Sequence, residues 1–278
     1  MKPILEMRGI TKMYGKAAAV QDVNFNLMKG EVHAILGENG AGKSTLTKMM
    51  AGVVQPTSGN IMFEGAPITI KSPAEAVKFG IAMVFQETSL VPSMTVAQNL
   101  FLGNEKFFNR IRGVNIAAQQ FMQSLSFDVD PTQMVVSLGA AKKQMVEIAR
   151  AMLLDARVIV FDEPTATLTP EEKRHFFDLV KTLKAHDVSV IFISHALEEA
   201  LEISDSITIL RDGQHVVTDS TDNFDRDRII HSMVGRKLTE ELYHNKKSVA
   251  RPAGERILCI QNLRAAGVVK NNSLSVFK

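Results

Sequence analysis

Residues 37–45 read Gly37-Glu38-Asn39-Gly40-Ala41-Gly42-Lys43-Ser44-Thr45. They fit the pattern G-x4-G-K-S/T in full, after an apolar run at 32–36 that predicts a buried strand and before a predicted helix at 43–51. Glycines are needed because backbone N–H groups must turn inward around phosphate oxygens, where a Cβ would block the approach. Lys43 would then reach the β- and γ-phosphates, and the Ser44 hydroxyl would be a ligand of Mg²⁺. A glycine-rich turn that only caps a helix would not need the Lys-Ser pair.

The composition limits the possible classes of protein. The 278 residues allow one large domain or two small ones, and 45% hydrophobic and 22% charged residues are typical of a globular protein. A net charge of +2 without a long basic run argues against a dedicated nucleic-acid binder. The single cysteine, Cys259, excludes an internal disulfide framework. Because no apolar run approaches the roughly 18 residues of a membrane helix, we expect any membrane role to act through partners.

The sequence before the loop predicts strands with one aromatic residue between them. Residues 4–36 alternate in polarity like strands, with a turn at Lys29-Gly30. Tyr14 lies between two of these strands. It is either an ordinary core aromatic or a ring that stacks on adenine, and the residues alone leave both readings open.

The segment after the first helix predicts a hairpin and then a helical region. Residues 59–63 and 68–70 flank the turn Glu64-Gly65, and a short helix at 73–79 is followed by a buried strand at 81–85. Gln86 ends this strand, either as a ligand contact at the sheet edge or as a surface residue. From Thr95, which begins a capping box, the pattern is mostly helical to residue 152 with an interruption at 131–139. Such an insert is typical of an arm that contacts another molecule.

Two further apolar strands end in residues that suit phosphate chemistry. The run at 158–161 leads directly into Asp162 and Glu163. Asp162 could hold Mg²⁺ through water, and Glu163 could orient the attacking water. The strand at 188–193 ends near His195, which could hydrogen-bond a γ-phosphate. Thr169 begins the intervening helix with a capping box.

The end of the chain resembles its beginning. A hairpin at 207–217 and a short helix at 229–234 precede a polar segment at 241–255, which we interpret as a linker. Residues 269–278 then resemble residues 20–29, which lead into the phosphate loop in the first copy. We therefore expect residues 256–278 to be the first strands of a second domain, and the chain to be a fragment or truncated product of a tandem protein.

In this order and spacing the motifs resemble the nucleotide-binding subunit of an ABC transporter, over residues 4–240. Tyr14 matches the adenine-stacking position, Gln86 the Q-loop and His195 the switch histidine, while residues 37–45 match Walker A and 158–163 match Walker B. The runs at 37–46, 85–92, 144–149 and 233–238 resemble bacterial monosaccharide importers of the ribose/galactose type, which have two fused ATPase halves.

The resemblance implies an α/β P-loop NTPase core at 1–240 with a mostly parallel sheet, an antiparallel β subdomain and a helical insert at about 87–152. It implies ATP and Mg²⁺ as ligands, and three sets of residues follow. Those that bind nucleotide are Tyr14, Gly37, Glu38, Asn39, Gly40, Ala41, Gly42, Lys43, Ser44 and Thr45. Those with catalytic roles are Lys43, Gln86, Glu163 and His195, and those near the metal are Ser44, Gln86 and Asp162.

Partners follow from the same resemblance. We expect membrane permease subunits, a second ATPase half, and indirectly a periplasmic or extracellular sugar-binding protein, with the chain at the cytoplasmic face of the membrane and no nucleic acid.

The sequence departs from the family at the signature L-S-G-G-Q, where Leu138-Gly139-Ala140-Ala141-Lys142 lacks the serine. A register through Ser137 recovers a serine but needs two extra residues before the helix, which turn it by about 200°. We favour the register without serine, and Thr169 stands where the D-loop usually has aspartate.

Other classes fit parts of the pattern. A nucleoside importer shares the tandem layout, and a soluble tandem ABC ATPase would act on ribosomes rather than in transport. A catalytically silent binding module would follow if the chain lacked its partner half. We expect an isolated half to be weakly active, because in this family ATP is bound between the Walker motifs of one half and the signature of the other.

Overall fold

The computed structural model describes residues 2–84, 89–102, 111–166, 168–235, 256–265 and 269–277. The chain divides into two compact units, Met1–Gly235 and Arg236–Lys278. In the described part of the chain, no helix combines the length and the apolar character needed to cross a membrane. The predicted linker at 241–255 lies outside the described residues.

The strands and helices of the first unit alternate along most of the chain. The strands are β1 (Pro3–Tyr14), β2 (Ala17–Met28), β3 (Val32–Leu36), β4 (Ser58–Phe63), β5 (Ala66–Ile68), β6 (Ile81–Val84), β7 (Val158–Asp162), β8 (Ser189–Ile193), β9 (Ser206–Arg211) and β10 (Gln214–Ser220). The helices are α1 (Lys43–Met50), α2 (Pro73–Lys78), α3 (Val96–Leu100), α4 (Ile111–Ser124), α5 (Ala140–Leu153), α6 (Pro170–Ala185), α7 (Leu197–Ile203) and α8 (Arg226–Val234).

In the described residues, six strands form the central sheet in the order β10-β9-β3-β8-β7-β6. All neighbours in it pair in parallel except β10, which pairs antiparallel with β9. Strands β3 and β8 are buried at every position, as a parallel sheet covered on both faces requires. Because their carboxyl ends share one edge, the loops after β3, β7 and β8 meet there.

The second sheet is antiparallel, with the order β2-β1-β4-β5. Its apolar face packs with α1 and one face of the central sheet, and this core includes Leu5, Phe25, Leu46 and Ile191. The other face of the central sheet packs with α3 to α7 around Phe161 and Phe192. The predicted α/β class, with an antiparallel subdomain and helices α3 to α5 in the insert, is confirmed.

Some predicted boundaries change. The strand predicted at 68–70 is β5 (Ala66–Ile68), because the turn needs only Glu64 and Gly65, whose φ angles are 50° and 81°. Both angles are positive, as a two-residue hairpin turn of type I′ requires. The capping boxes predicted at Thr95 and Thr169 are present. In the strand predicted at 81–85, Phe85 lies outside the described residues.

The second unit contains an antiparallel hairpin of β11 (Arg256–Ala265) and β12 (Val269–Phe277). Its register repeats that of β1 and β2, since Leu258 pairs with Val276 as Leu5 pairs with Leu27.

The irregularity in the two hairpins also repeats. Asn262 has φ 52° and its N–H donates to Ser273 Oγ at 3.1 Å, while Gly9 has φ 58° and its N–H donates to Asn24 Oδ1 at 2.9 Å. Both hairpins therefore contain the same β-bulge, closed by a side chain of the second strand.

Candidate functional site

The loop between β3 and α1 wraps tightly against neighbouring backbone. Gly42 has φ 96°, and a Cβ there would lie 2.5 Å from the carbonyl oxygen of Ala19. A Cβ on Gly37 would meet the carbonyl oxygen of Leu210 even more closely. Glycine is therefore required at both positions by contact. The loop borders a cavity of about 290 Å³, whose other lining residues include Ala19 and Glu163.

Lys43 is enclosed by this loop. The residue is 5% exposed, and its Nζ donates hydrogen bonds to the carbonyl oxygens of Gly37 at 2.8 Å and Glu38 at 3.0 Å. Burial lowers the pKa of Lys43, while the charges of Glu163 and Asp162 oppose the shift. An ammonium has three donors, so the cation is fixed by two hydrogen bonds and keeps one donor.

Ser44 and Asp162 meet across the edge of the sheet. The Ser44 hydroxyl, in the first turn of α1, donates to Oδ1 of Asp162 at 3.3 Å. Burial raises the pKa of Asp162, and the hydrogen bond from Ser44 partly offsets this. Two oxygen ligands of the kind that Mg²⁺ prefers therefore lie side by side.

Glu163 and His195 form the third contact of the site. The adjacent parallel strands β7 and β8 pair Asp162 with Ile193, which brings the following loops together. Oε1 of Glu163 lies 2.5 Å from Nε2 of His195, with the side chains 23% and 43% exposed. The two predicted catalytic residues are therefore partners, and Glu163 also lines the cavity beside the loop.

The remaining predicted nucleotide contacts occupy more open positions. Tyr14 ends β1 and is 53% exposed, with the Lys12 ammonium 5.2 Å from its ring centroid. This exposure excludes the reading of Tyr14 as a core aromatic, and stacking on adenine stays a prediction. Glu38, Asn39 and Gly40 are exposed, Ala41 is buried, and Gly42 and Thr45 are partly buried. Gln86 lies outside the described residues.

One buried group near the site was not identified from the sequence. Glu199 in α7 is 7% exposed and accepts hydrogen bonds from the side chains of Thr165, Ser194 and Lys173. The available signal was its position beside Ala200, on the face of the helix that is buried. A glutamate on that face needs partners, since an isolated buried carboxylate is costly.

Comparison with known proteins identifies the family. A family model described as ABC transporter matches residues 20–166, more than half of the chain. The chain belongs to the ABC transporter family. The resemblance to the ATP-binding subunits of this family, predicted from the motifs, is confirmed.

Relatives in the ABC transporter family include ribose import ATP-binding proteins. RbsA 1 of Rubrobacter xylanophilus is 45% identical over 279 residues, which cover 99% of this chain and 55% of that protein. RbsA 2 of Rhizobium meliloti is 42% identical, over 94% of this chain and 51% of that protein. A putative ribose/galactose/methyl galactoside import ATP-binding protein of Agrobacterium fabrum is 40% identical, covering 98% and 54%. The chain thus spans about half the length of these relatives.

Solved structures of ABC transporter cassettes share the fold. The ADP conformation of an ATP-binding cassette is 26% identical with a TM-score of 0.73, covering 85% of this chain and 100% of that one. A nucleotide-free cassette is 26% identical with a TM-score of 0.71, covering 87% and 98%. The first unit therefore has the architecture of an ABC transporter cassette.

The segment predicted to correspond to the ABC signature begins a helix. Gly139 is the N-cap of α5, at the position where the favoured register lacks the family's serine. Ser137 lies two residues earlier in a 3₁₀ turn, and its hydroxyl donates to the carbonyl oxygen of Met134 at 2.7 Å. Further along α5, Gln144 Nε2 donates to the carbonyl oxygen of Pro164 at 2.6 Å. The helix thus contacts the loop that follows Glu163.

Proposed function

We propose that this chain binds and hydrolyses ATP and thereby energises the import of a monosaccharide through a membrane permease. The observation that carries the proposal is the meeting of three contacts at one edge of the sheet. They are Lys43 within its glycine loop, Ser44 with Asp162, and Glu163 with His195. The sugar is suggested by relatives that are named for ribose import.

In the proposed reaction each residue has a distinct role. The Lys43 ammonium and the loop N–H groups bind the β- and γ-phosphates. Glu163 orients a water and accepts its proton as the water oxygen bonds to the γ-phosphorus and the bond to the β–γ bridging oxygen breaks. His195 donates to the γ-phosphate and holds Glu163 beside it. Tyr14 stacks on adenine, and Gln86 would contact the nucleotide and help to hold the metal.

The residues fit a magnesium ion. The Ser44 hydroxyl would supply an oxygen ligand and the Asp162 carboxylate would hold the ion through water, and burial of Asp162 makes its charge costly without a cation. When bound, Mg²⁺ neutralises charge on the phosphates. The chain's own contribution is to hold the Ser44 hydroxyl at the start of α1 and the Asp162 carboxylate at the end of β7 within 3.3 Å of each other.

We further propose that the chain works with a second ATPase half, whose first strands correspond to residues 256–278. The repeated register and the repeated bulge of β11 and β12 support this domain division. The first domain would end near residue 240, and the segment 241–255 would link it to the second. Hydrolysis would occur mainly at this half's Walker motifs, because its own signature lacks the serine that the other site needs.

The partners follow from the role in import. We propose a permease that docks near the helical insert, a peripheral position on the cytoplasmic face of the membrane, and a sugar-binding protein outside it. Relatives whose names include import support this arrangement.

ATP turnover is the direct test. It is measured for this chain alone and after mixing with a separately expressed second half. Stimulation on mixing supports a composite site, whereas brisk turnover by the chain alone would contradict the need for the second half. Absence of ATP turnover in both samples would contradict the proposed function. In vesicles with the permease, stimulation by a nucleoside but not by a monosaccharide would replace the proposed substrate class.

A further inference from the structure

Behind the Glu163–His195 contact lies the buried carboxylate of Glu199. Its Oε2 accepts hydrogen bonds from the Thr165 hydroxyl at 2.5 Å and the Ser194 hydroxyl at 3.1 Å. Its Oε1 accepts from the Lys173 ammonium at 2.6 Å. A carboxylate removed from water is stable only when its oxygens are paired in this way. Both oxygens of Glu199 are therefore committed to contacts within the protein.

Two of these donors come from the loops that carry the proposed catalytic pair. Thr165 follows Glu163 by two residues, and Ser194 immediately precedes His195. Thr165 and Ser194 are each 3% exposed, so water has little access to the hydrogen bonds that their hydroxyl groups donate to Glu199. Because a single oxygen atom accepts from both, it fixes the separation of the two loops.

The backbone of Glu163 needs such support. Its φ of 52° is in the left-handed region, which residues with a Cβ adopt rarely and keep only when the surroundings hold them. At the start of the loop, the Glu163 N–H donates to the carbonyl oxygen of Ile193 at 3.2 Å. The contact of Thr165 with Glu199 holds the other end of the same loop.

We infer that Glu199 is a positioning residue for ATP hydrolysis, whose carboxylate holds the Glu163 and Ser194–His195 loops at the separation where Glu163 and His195 meet. It acts through that pair, since its own oxygens contact Thr165, Ser194 and Lys173. The inference rests on the proposed function. Displacing a catalytic group by about 1 Å can lower a rate by about 100-fold, so a network of this kind affects turnover more than nucleotide binding.

The test compares substitutions that differ in one contact. Glu199→Gln removes the charge, Thr165→Val removes one donor at constant shape, and Thr165→Ser keeps that donor. The matched control is Glu198→Gln, because Glu198 is the neighbouring, exposed glutamate and pairs only with Arg226 at 3.4 Å among the ion pairs of the described residues. Turnover and ATP affinity are measured for each variant under the conditions that give wild-type turnover.

We expect Glu199→Gln and Thr165→Val to lower kcat by about 10- to 100-fold, with the Kd for ATP within about twofold of the wild type. Thr165→Ser and Glu198→Gln should remain close to the wild type. In a His195→Ala background, Glu199→Gln should lower kcat by less than about twofold further, because residues that act as a unit are not additive. If Glu199 only fastened α6 to α7, Glu199→Gln would lower kcat by the same factor in the wild-type and the His195→Ala backgrounds.

A second measurement does not depend on turnover. In the nucleotide-free chain, the imidazole ring signal of His195 is assigned by NMR from its loss in His195→Ala. We expect Glu199→Gln and Thr165→Val to move this signal and Glu198→Gln to leave it in place. If wild-type protein failed to hydrolyse ATP, the proposed function would fail while this measurement would still test the positioning role.

Three results would overturn the inference. The first is wild-type turnover in both Glu199→Gln and Thr165→Val. The second is a fall in kcat caused by Glu199→Gln that is as large in the His195→Ala background as in the wild type. The third is a His195 NMR signal that neither Glu199→Gln nor Thr165→Val moves. Should Glu199→Gln fail to fold, the comparison of Thr165→Val with Thr165→Ser decides the question by itself.

Discussion

Oε1 of Glu163 lies 2.5 Å from Nε2 of His195. The contact arises because β7 and β8 are neighbours in a parallel sheet and end in register, with Asp162 opposite Ile193. Two residues that are 32 positions apart in the chain are thus brought together by strand order. The same edge of the sheet carries Lys43 and its loop, and Glu163 lines the same cavity as the loop, so a phosphate group bound there would lie beside Glu163.

Replacement of Glu163 by glutamine should separate hydrolysis from binding. Glutamine keeps the size of the side chain but cannot accept a proton from water, so turnover should fall by roughly 10²- to 10⁴-fold. ATP binding, measured by equilibrium titration, should persist, and Glu198→Gln serves as the control. Turnover like the wild type in Glu163→Gln would remove Glu163 from its proposed role.

Replacement of Lys43 by methionine should weaken ATP binding. A hydrogen bond between charged groups contributes about 1.5–3 kcal/mol, and each 1.4 kcal/mol is about tenfold in affinity. We therefore expect the Kd for ATP to rise by about 10- to 100-fold, measured by titration calorimetry. Lys29→Met makes the same chemical change at an exposed lysine beside Asp187, and should leave the Kd unaltered. Equal effects of both variants would show that net charge, rather than the loop contact, governs binding.

The parts of the site that could be predicted are those written in contiguous residues. The glycine loop with Lys43, the acidic end of β7 and His195 near the end of β8 each follow a buried apolar strand. Carboxyl ends of parallel strands share an edge, so their proximity follows from the fold class. The repeated hairpin was also predictable from contiguous residues, because its second strand resembles the sequence of β2.

The parts that could not be predicted depend on contacts between distant segments. The network of Glu199 joins residues from the loop after β7, the loop after β8 and α6, and none of them forms a local motif. The hydrogen bonds of Lys43 to the carbonyl oxygens of its own loop depend on backbone angles rather than on residue type. The start of β5 was predicted two residues too late, because pairing resumes at Ala66 directly after the turn.

The stability of the first unit should depend on pH through Glu147. Burial raises the pKa of Glu147, although hydrogen bonds from the Ser89 N–H and hydroxyl oppose the shift. Among the described residues, its buried Oε2 has no hydrogen-bond partner. The folded state therefore holds this proton more tightly than the unfolded state, and the free energy of unfolding falls as pH rises from the ordinary carboxyl range through the raised pKa.

Glu147→Gln should remove that pH dependence. At pH 7 we expect the midpoint of thermal unfolding to rise by about 2–4 °C, which corresponds to about 1 kcal/mol in a unit of this size. The difference from the wild type should vanish at acidic pH, where the carboxyl is protonated in both states. Glu202→Gln, at an exposed position of α7, should show neither effect. A lower midpoint for Glu147→Gln at pH 7 would mean that the charge is stabilising.

Thr169 begins α6 with a capping box in which its hydroxyl accepts from the Glu172 N–H at 3.3 Å, and its own N–H donates to Oε2 of Glu172 at 2.9 Å. Loss of an N-cap side chain costs about 1 kcal/mol, so Thr169→Ala should lower the thermal midpoint by about 2–4 °C. Thr169→Asp restores the residue usual in the family's D-loop and is also a good N-cap, so its midpoint should match the wild type. If Thr169→Asp also raised ATP turnover in the presence of the second half, Thr169 would affect catalysis as well as the helix start. If Thr169→Ala left the midpoint unchanged, the cap would contribute nothing to stability, and the apolar packing of α6 against the core would be sufficient without it.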